Sequence, residues 1–391
     1  QPEFYLYNVA SGKTRILTDN LPCYPEMGFP AFAPPPRPFW RTGAVALFHG
    51  YERARSGIYT VNTNTGAVEK LISWDATHSG FHVDGEGTTA VQSASSFEMN
   101  GELAVIDLRG KTSRLATDLN GAQLAETPSA RWERFELERA GHVVEAFLLR
   151  PHDAAPGTRL PLVIDIHGGP AGFYGPQLDL VQQSLASAGY AVLLVNPRGS
   201  TTYGREFATA NVGDWAGEDY ADLMAALDLA AARDDIDPDR LGVYGYSYGG
   251  FMASWAIGHT SRFKAAAIGA PVIDLVSMYG TSDIGAGLLS HYLGATPVSE
   301  LERYRASSPL SFLHNTKIPS LILIGEADVR CPIGQSEQLF TALLDAGVET
   351  EFVRYPGEGH LMPWAGHPDH RVDFANRIIA WFDRFLKNEG A

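Results

Sequence analysis

The chain has little cysteine, no long hydrophobic run and no excess of positive charge, and each shortage excludes a class of protein. Its two cysteines, Cys23 and Cys331, are too few for a disulfide framework and lack metal-ligand spacing, so we expect a reducing, cytoplasmic environment. No apolar stretch approaches the ~18 residues of a membrane-spanning helix, which argues against a membrane protein. The net charge of −15 argues against binding to nucleic acid or to anionic membranes.

The composition that remains is that of a globular protein with more than one domain. Hydrophobic residues make up 45% of the 391 residues, well outside the disordered class. A chain of this length exceeds one ordinary hydrophobic core, which predicts two domains. The sequence pattern changes after residue 128, so we place the domains at residues 1–128 and 129–391.

The first domain consists of short β-type runs separated by turn residues. Glycine marks three similar turns, at Gly12, Gly66 and Gly110, at intervals of roughly 50 residues. Each turn joins two short strands, in the stretches 6–18, 58–72 and 103–117. All-β units with this spacing are typical of β-propeller blades. A β-sandwich with similar hairpins is the alternative.

The propeller predicted for residues 1–128 is incomplete. A propeller needs about four blades or more to close its ring, and fewer than three are visible. Open sheet edges invite aggregation, so we expect these residues to be the C-terminal blades of a longer propeller. The predicted partner is a missing propeller fragment of the same protein. There are two alternatives to a missing fragment. A partner subunit, such as another copy in a homo-oligomer, could cover the sheet edges, or the short form could be natural.

The second domain alternates apolar runs with helical patterns. The helical patterns cover 219–231 and 335–346, where apolar residues form one stripe. The runs are near-continuous, as in parallel strands buried on both faces, and comprise 160–169, 190–199, 265–272 and 320–328. This alternation predicts a doubly wound α/β sheet, whose sites lie at the carboxyl ends of its strands.

The stretch "GYSYGG" places Ser247 on a sharp turn between a strand and a helix. The helical pattern starts near Phe251, and Gly258 is its predicted stop. Side chains at Gly245 and Gly249 would collide where strand and helix approach, which leaves the serine hydroxyl projecting above the sheet. The motif alone also fits a glycine-rich turn with an incidental serine.

Two further residues follow apolar runs and complete a catalytic pattern. Asp328 comes after "LILIGEA" and His360 after "TEFVRYPGEG", so the order Ser, Asp, His is that of an α/β-hydrolase triad. Alone, the aspartate could be a helix cap and the histidine a loop residue. His367 and His370 are rival histidines or a metal pair, but no ligand cluster accompanies them. We therefore predict neither a metal nor a cofactor.

The stretch "IHGGP", directly after an early strand, predicts an oxyanion site. Its two glycines allow backbone N–H groups to face an oxyanion, as in esterase loops of the HGGG type. The second donor would be the backbone N–H of Tyr248. His167 itself is expected to be structural, because its loop would hold it beside the serine.

With these residues in view, the chain resembles the prolyl oligopeptidase family of serine peptidases, in particular its bacterial acylaminoacyl-peptidase-like branch. The resemblance implies an α/β-hydrolase domain after a β-propeller, with Ser247 as nucleophile, Asp328 as orienting acid and His360 as general base. It also implies an oxyanion hole made by the N–H groups of Gly169 and Tyr248. The motifs cover nearly all of 130–391 and occur in the family's order: "DIHGGP", "NPRGSTTYGREF", "GDWAGEDYADLM", "GYSYGG", "GEADVRCPIGQSEQLFTAL" and "YPGEGH".

The same resemblance implies where substrate binds. Arg330 matches a position near the substrate cleft and could pair with a substrate carboxylate or carbonyl; a structural ion pair is the alternative. Residues 271–292 are expected to line the first specificity pocket, with Val272, Met278 and Tyr279 making it apolar.

The predicted activity is hydrolysis of short peptides, with or without an N-acyl group, through an acyl-enzyme. A carboxypeptidase or dipeptidyl-peptidase mode and a carboxylesterase on the same fold are the alternatives. Dipeptidyl peptidases hold the free amino terminus with paired glutamates, and no Glu-Glu pair occurs in the sequence. A catalytically silent binding protein is a third class, against which the complete triad argues.

Overall fold

The computed structural model describes residues 2–19, 21–26 and 37–387. No helix in this part of the chain is both long and apolar enough to cross a membrane. The chain divides into two compact units. The first comprises Gln1–Ser129, Phe173–Asp179 and Ser200–Ala208, and the second comprises Ala130–Gly172, Leu180–Gly199 and Thr209–Ala391.

The first unit is built almost entirely from antiparallel strands. Among its described residues before residue 130, the unit contains one short helix, α1 (Gly121–Glu126). Its strands are β1 (Tyr5–Asn8), β2 (Lys13–Ile16), β3 (Tyr24–Pro25), β4 (Phe39–Thr42), β5 (Val45–Glu52), β6 (Arg55–Asn62), β7 (Val68–Trp74), β8 (Thr77–Val83), β9 (Thr89–Ser96), β10 (Met99–Asp107) and β11 (Thr112–Leu115).

These strands form three sheets. Within the described residues, β1 pairs with β2 alone, β8 to β11 form a four-stranded meander, and β3, β5, β6 and β7 form a sheet in which β4 also pairs with β5. All three hairpins predicted from the sequence are therefore confirmed as antiparallel pairs. Gly12 and Gly66 take left-handed φ values of 65° and 78°, whereas in the third turn Lys111, with φ of 54°, does so in place of Gly110. The assignment of these sheets to propeller blades stays a prediction.

β5 has buried side chains on both of its faces. Phe48 belongs to a core cluster with Leu21 and Tyr59, whereas its neighbour Leu47 belongs to a second cluster with Phe81. The second cluster includes residues of β8 to β10, so the two larger sheets pack face to face. Successive side chains of β5 point to opposite faces of the strand, so β5 contributes to both core clusters.

The second unit contains one sheet of eight strands flanked by helices. Its strands are β12 (Arg131–Arg139), β13 (His142–Arg150), β14 (Leu160–Ile166), β15 (Ala191–Asn196), β16 (Ile236–Tyr246), β17 (Ala265–Gly269), β18 (Ser320–Gly325) and β19 (Thr350–Tyr355). The remaining helices of the chain are α2 (Leu180–Ser187), α3 (Arg205–Thr209), α4 (Glu218–Ala231), α5 (Tyr248–His259), α6 (Leu275–Thr281), α7 (Gly285–Leu293), α8 (Leu301–Ala306), α9 (Ile333–Asp345), α10 (Met362–Ala365) and α11 (Pro368–Phe382), with a 3-10 helix at Pro309–Asn315 and a π-helix at Asp383–Lys387.

The order of the sheet is β12-β13-β15-β14-β16-β17-β18-β19. β12 and β13 are antiparallel, and β15 to β19 run parallel to β14. Every residue of β14, β15, β17 and β18 is buried, as expected for strands covered on both faces. The α/β sheet predicted from the apolar runs is confirmed.

The direction of winding reverses at β14, since β15 lies on one side of it and β16 on the other. In α/β sheets a crevice forms at such a reversal, outside the carboxyl ends of the strands. Ile166, the last residue of β14, lies opposite Gly245 near the end of β16. The glycine loop and the serine turn therefore leave the sheet side by side.

Glycine is required where α5 packs against this edge. A Cβ at Gly245 would lie 2.2 Å from the carbonyl oxygen of Gly249, and one at Gly249 would lie 1.9 Å from that of Ile166. The collisions predicted from the sequence are confirmed. The predicted stop at Gly258 is wrong, because α5 continues to His259, and Gly258 instead lies against Phe312 of the 3-10 helix.

We expect Gly249→Ala to lower the free energy of unfolding by at least about 2 kcal/mol, because the new methyl group would overlap main-chain atoms that cannot move aside. The matched control is Gly287→Ala in the first turn of α7, where a Cβ meets nothing within 4 Å and helix propensity rises. Thermal unfolding of both variants tests this. Equal stability of the two would mean that strand and helix can separate.

Candidate active site

Ser247 occupies a strained turn between β16 and α5. Its φ of 63° and ψ of −119° lie outside the regions that non-glycine residues ordinarily populate, at a cost on the order of 1–3 kcal/mol. Its own N–H donates to the carbonyl of Gly269, at 3.0 Å, and its carbonyl accepts from the N–H of Phe251, at 2.9 Å. The residue is thus fixed at both ends of its main chain while its hydroxyl stays available.

The three residues predicted to form a triad are in hydrogen-bond contact. His360 Nε2 lies 3.0 Å from Ser247 Oγ, and His360 Nδ1 lies 2.7 Å from Asp328 Oδ2. The Asp328 side chain is almost fully buried, and its other oxygen accepts the N–H groups of Arg330 and Cys331, both at 2.8 Å. These bonds fix the position of the carboxylate. The carboxylate in turn fixes the orientation of the imidazole ring through its contact with Nδ1.

The loop carrying His360 is held by Glu358. Its carboxylate accepts the N–H of His367 at 2.8 Å and contacts His370 Nδ1 at 2.6 Å. The ring of Tyr246 lies against His360, with 5.4 Å between ring centroids. The rival histidines therefore sit at the start of α11, away from the serine bond, and among the described residues no group of three or more potential ligands could hold a metal ion.

The glycine loop after β14 lies next to the serine. A Cβ on Gly168 would be 3.4 Å from Ser247 Cβ, and Gly169 has a φ of 133° that glycine alone adopts readily. His167 is buried, its Nδ1 contacts the carbonyl of Gly168 at 2.8 Å, and burial lowers its pKa to about 4. It is uncharged near neutral pH and braces the loop.

The predicted substrate residues have different surroundings. Arg330 donates from Nε and Nη2 to the two carboxylate oxygens of Asp283, at 2.7 and 3.1 Å, which is the ion pair considered as its alternative. Val272 and Met278 are buried, and Tyr279 is partly exposed. Contact of these residues with substrate stays a prediction.

The sequence analysis missed a buried carboxyl group beneath the first turn of α5. Asp219 is fully buried, accepts the Tyr248 hydroxyl and the N–H of Tyr220, and its neighbour Asp214 adds like charge. Burial raises the pKa of Asp219 to about 7 despite these hydrogen bonds. The motif "GDWAGEDYADLM" contained the residue but gave no sign of its partner.

A second residue missed by the sequence analysis lies beside the serine. Cys331 is buried, with its Sγ 3.9 Å from Ser247 Oγ, and burial raises the pKa of its thiol far above the usual range. Its position three residues after Asp328 was the one signal available.

The model of the prolyl oligopeptidase family matches residues 176–389. The chain belongs to this family. An uncharacterized peptidase of Bacillus subtilis, YuxL, is 36% identical over 389 residues, which are 98% of this chain and 59% of that protein. The acylamino-acid-releasing enzyme of Arabidopsis thaliana is 33% identical over 235 residues, covering 58% of this chain and 30% of the relative.

Among solved structures, the uncomplexed acylaminoacyl peptidase of Pyrococcus horikoshii is similar, with a TM-score of 0.87 and 26% identity. That similarity covers 100% of this chain and 60% of the other. The chain therefore spans about 60% or less of the length of these family members. The family resemblance inferred from the motifs is confirmed.

The raised pKa of Asp219 predicts a pH-dependent stability. An unfolded aspartate ionises near pH 4, so between about pH 4 and 7 the folded state alone keeps the proton and stability falls as pH rises. Asp219→Asn does not titrate, so its midpoint of thermal unfolding relative to the parent should improve between pH 5 and pH 8. Parallel pH profiles of Tm for the two proteins would contradict the assignment.

Proposed function

We propose that the protein is a serine peptidase that hydrolyses short peptides, with or without an N-acyl group, through an acyl-enzyme. The observation that carries the proposal is the continuous hydrogen-bonded chain from Ser247 through His360 to Asp328. An imidazole within hydrogen-bond reach of a serine hydroxyl, and oriented by a buried carboxylate, is the arrangement that activates serine for attack.

The proposed reaction uses the two ring nitrogens of His360 in different roles. Nε2 accepts the Oγ proton as Ser247 attacks the peptide carbonyl, and it returns this proton to the leaving amine when the C–N bond breaks. Asp328 orients the ring and stabilises the imidazolium. Water then enters and attacks the acyl carbon as His360 Nε2 takes its proton, and His360 passes this proton to Ser247 Oγ when the acyl–Oγ bond breaks.

The oxyanion of the tetrahedral intermediate would be held by backbone donors. The proposal assigns the N–H of Tyr248, at the start of α5, where first-turn N–H groups have no acceptor within the helix. It assigns the second N–H to Gly169, in the loop next to Ser247. A low-dielectric site makes such fixed donors effective without reorganisation during the reaction.

The substrate class rests on the relatives. Two of them are named acylamino-acid-releasing enzyme and acylaminoacyl peptidase, which supports N-acylated peptides as the first substrates to try. A panel of peptides with free and blocked termini, together with matched amide and ester substrates, would separate exopeptidase modes from an esterase. Hydrolysis of esters without any amide would overturn the peptidase proposal.

Ser247→Ala should abolish turnover while leaving the fold intact. Loss of a triad nucleophile costs on the order of 10⁶ in rate, whereas the alanine methyl group fits the space that the serine occupies. Steady-state hydrolysis and thermal unfolding measure the two effects. Activity within tenfold of the parent would refute the nucleophile assignment.

His360→Ala should be about as inactive as the serine variant, whereas His370→Ala should keep most of its activity. Both histidines lie in the same region and each contacts a carboxylate, so the pair is a matched comparison. Only His360 contacts the serine hydroxyl. Equal losses in both variants, measured as kcat/KM, would mean that the histidines act as a group and not as one general base.

A further inference from the structure

Three polar side chains form a buried cluster beneath the first turn of α5. The Tyr248 hydroxyl donates to Asp219, and Asn211 Nδ2 lies 3.4 Å from the same carboxyl oxygen. All three residues are buried, and Asn211 and Asp219 have no measurable exposure.

The tyrosine ring of this cluster is clamped along its length. Trp215 meets it edge-on, with centroids 5.4 Å apart, and Phe251 stacks on it at 5.7 Å. The ring therefore cannot turn, and its far end is fixed by the bond to Asp219. Movement of the Tyr248 main chain would have to break this bond or displace both aromatic neighbours.

The carboxyl end of the cluster is equally fixed. Asp219 lies in the first turn of α4 and accepts the N–H of Tyr220 at 2.8 Å. One turn further on, Asp222 of the same helix binds Arg198 through two bonds, at 2.8 and 2.7 Å. Helix α4 is thus anchored independently and can serve as a rigid support.

The segment Ser247–Gly250 has only one side chain that can anchor it. The Ser247 side chain must stay available to His360, and Gly249 and Gly250 have none because main-chain atoms fill the space around them. The segment is also strained at Ser247. Main-chain bonds hold Ser247, and among the side chains of the segment Tyr248 alone can connect it to the surrounding structure.

We propose that Asp219 is a positioning residue that, through the Tyr248 hydroxyl, holds the backbone N–H of Tyr248 in the oxyanion site. This inference rests on the proposed function. It explains why a carboxyl group is buried beneath α5, where an apolar side chain would cost less free energy. The group lowers stability near neutral pH and orients the donor whose direction matters in the transition state.

The test compares four variants of the full chain: Tyr248→Phe, Asp219→Leu, Asp219→Asn and the control Tyr220→Phe. The first two remove the anchoring bond, and asparagine keeps an acceptor for the hydroxyl. The control deletes a neighbouring hydroxyl but leaves the N–H to Asp219 in place. Removal of an oxyanion donor costs about 10²–10³ in kcat, so a misdirected donor should cost about tenfold.

We expect Tyr248→Phe and Asp219→Leu to lower kcat about tenfold with KM within about twofold. Binding of a peptidyl boronic acid, whose serine adduct places an oxygen in the oxyanion site, should weaken by a similar factor. Asp219→Asn and Tyr220→Phe should stay within about threefold of the parent in both measurements. If Asp219→Leu does not fold, Tyr248→Phe, which removes a single oxygen atom, decides.

Unchanged kcat and boronic acid affinity in Tyr248→Phe would overturn the inference, as would an equal loss in Tyr220→Phe. An equal impairment of Asp219→Asn and Asp219→Leu would also overturn the inference. It would mean that an acceptor for the Tyr248 hydroxyl at position 219 does not determine activity. Labelling of Ser247 by a fluorophosphonate in the parent distinguishes these results from failure of the proposed function. A parent that is neither labelled nor active would refute that function first.

Discussion

The close approach of α5 to the ends of β14 and β16 is the constraint on which the site depends. With 1.9 Å between a Cβ at position 249 and the Ile166 carbonyl oxygen, glycine alone fits. This contact forces the turn at Ser247, exposes its hydroxyl and brings the loop of Gly168 alongside. It also removes side chains from the turn, so that the only side-chain support within Ser247–Gly250 comes from Tyr248 and the cluster beneath it.

The site is assembled from loops at one edge of one sheet, which explains how distant residues meet. Ser247, Asp328 and His360 follow β16, β18 and β19, and parallel strands end at the same edge. Each loop has its own restraint: the Gly269 carbonyl for the serine, two N–H groups for the aspartate and Glu358 for the histidine. The alignment of the triad therefore does not rely on the triad bonds alone.

Sequence patterns predicted the parts of the fold that are locally encoded. β14, β15 and β18 read as continuous apolar runs because both faces are buried, and strand-end positions predicted the triad. The pairing of Arg330 with Asp283 and of Tyr248 with Asp219 was not predictable, because these residues are 47 and 29 positions apart and no period relates them. Gly258 was misread because packing against Phe312, and not helix termination, requires it. The hairpins of the first unit were predictable because strand, turn and strand follow one another within one short stretch. The arrangement of its sheets depends on residues far apart in the sequence, and no single hairpin encodes it.

The two buried cysteines can report how often each part of the protein opens locally. Cys23 lies in the first compact unit and Cys331 in the second; both are buried and neither forms a disulfide. Both thiols are buried, and burial raises the pKa of Cys23 to about 12 and that of Cys331 further still, so little reactive thiolate forms in the closed state. Alkylation must then wait for local opening, and its rate reports the free energy of that opening separately for each unit. Because the Cys331 N–H donates to Asp328, its alkylation rate reports opening of the segment that also holds this carboxylate.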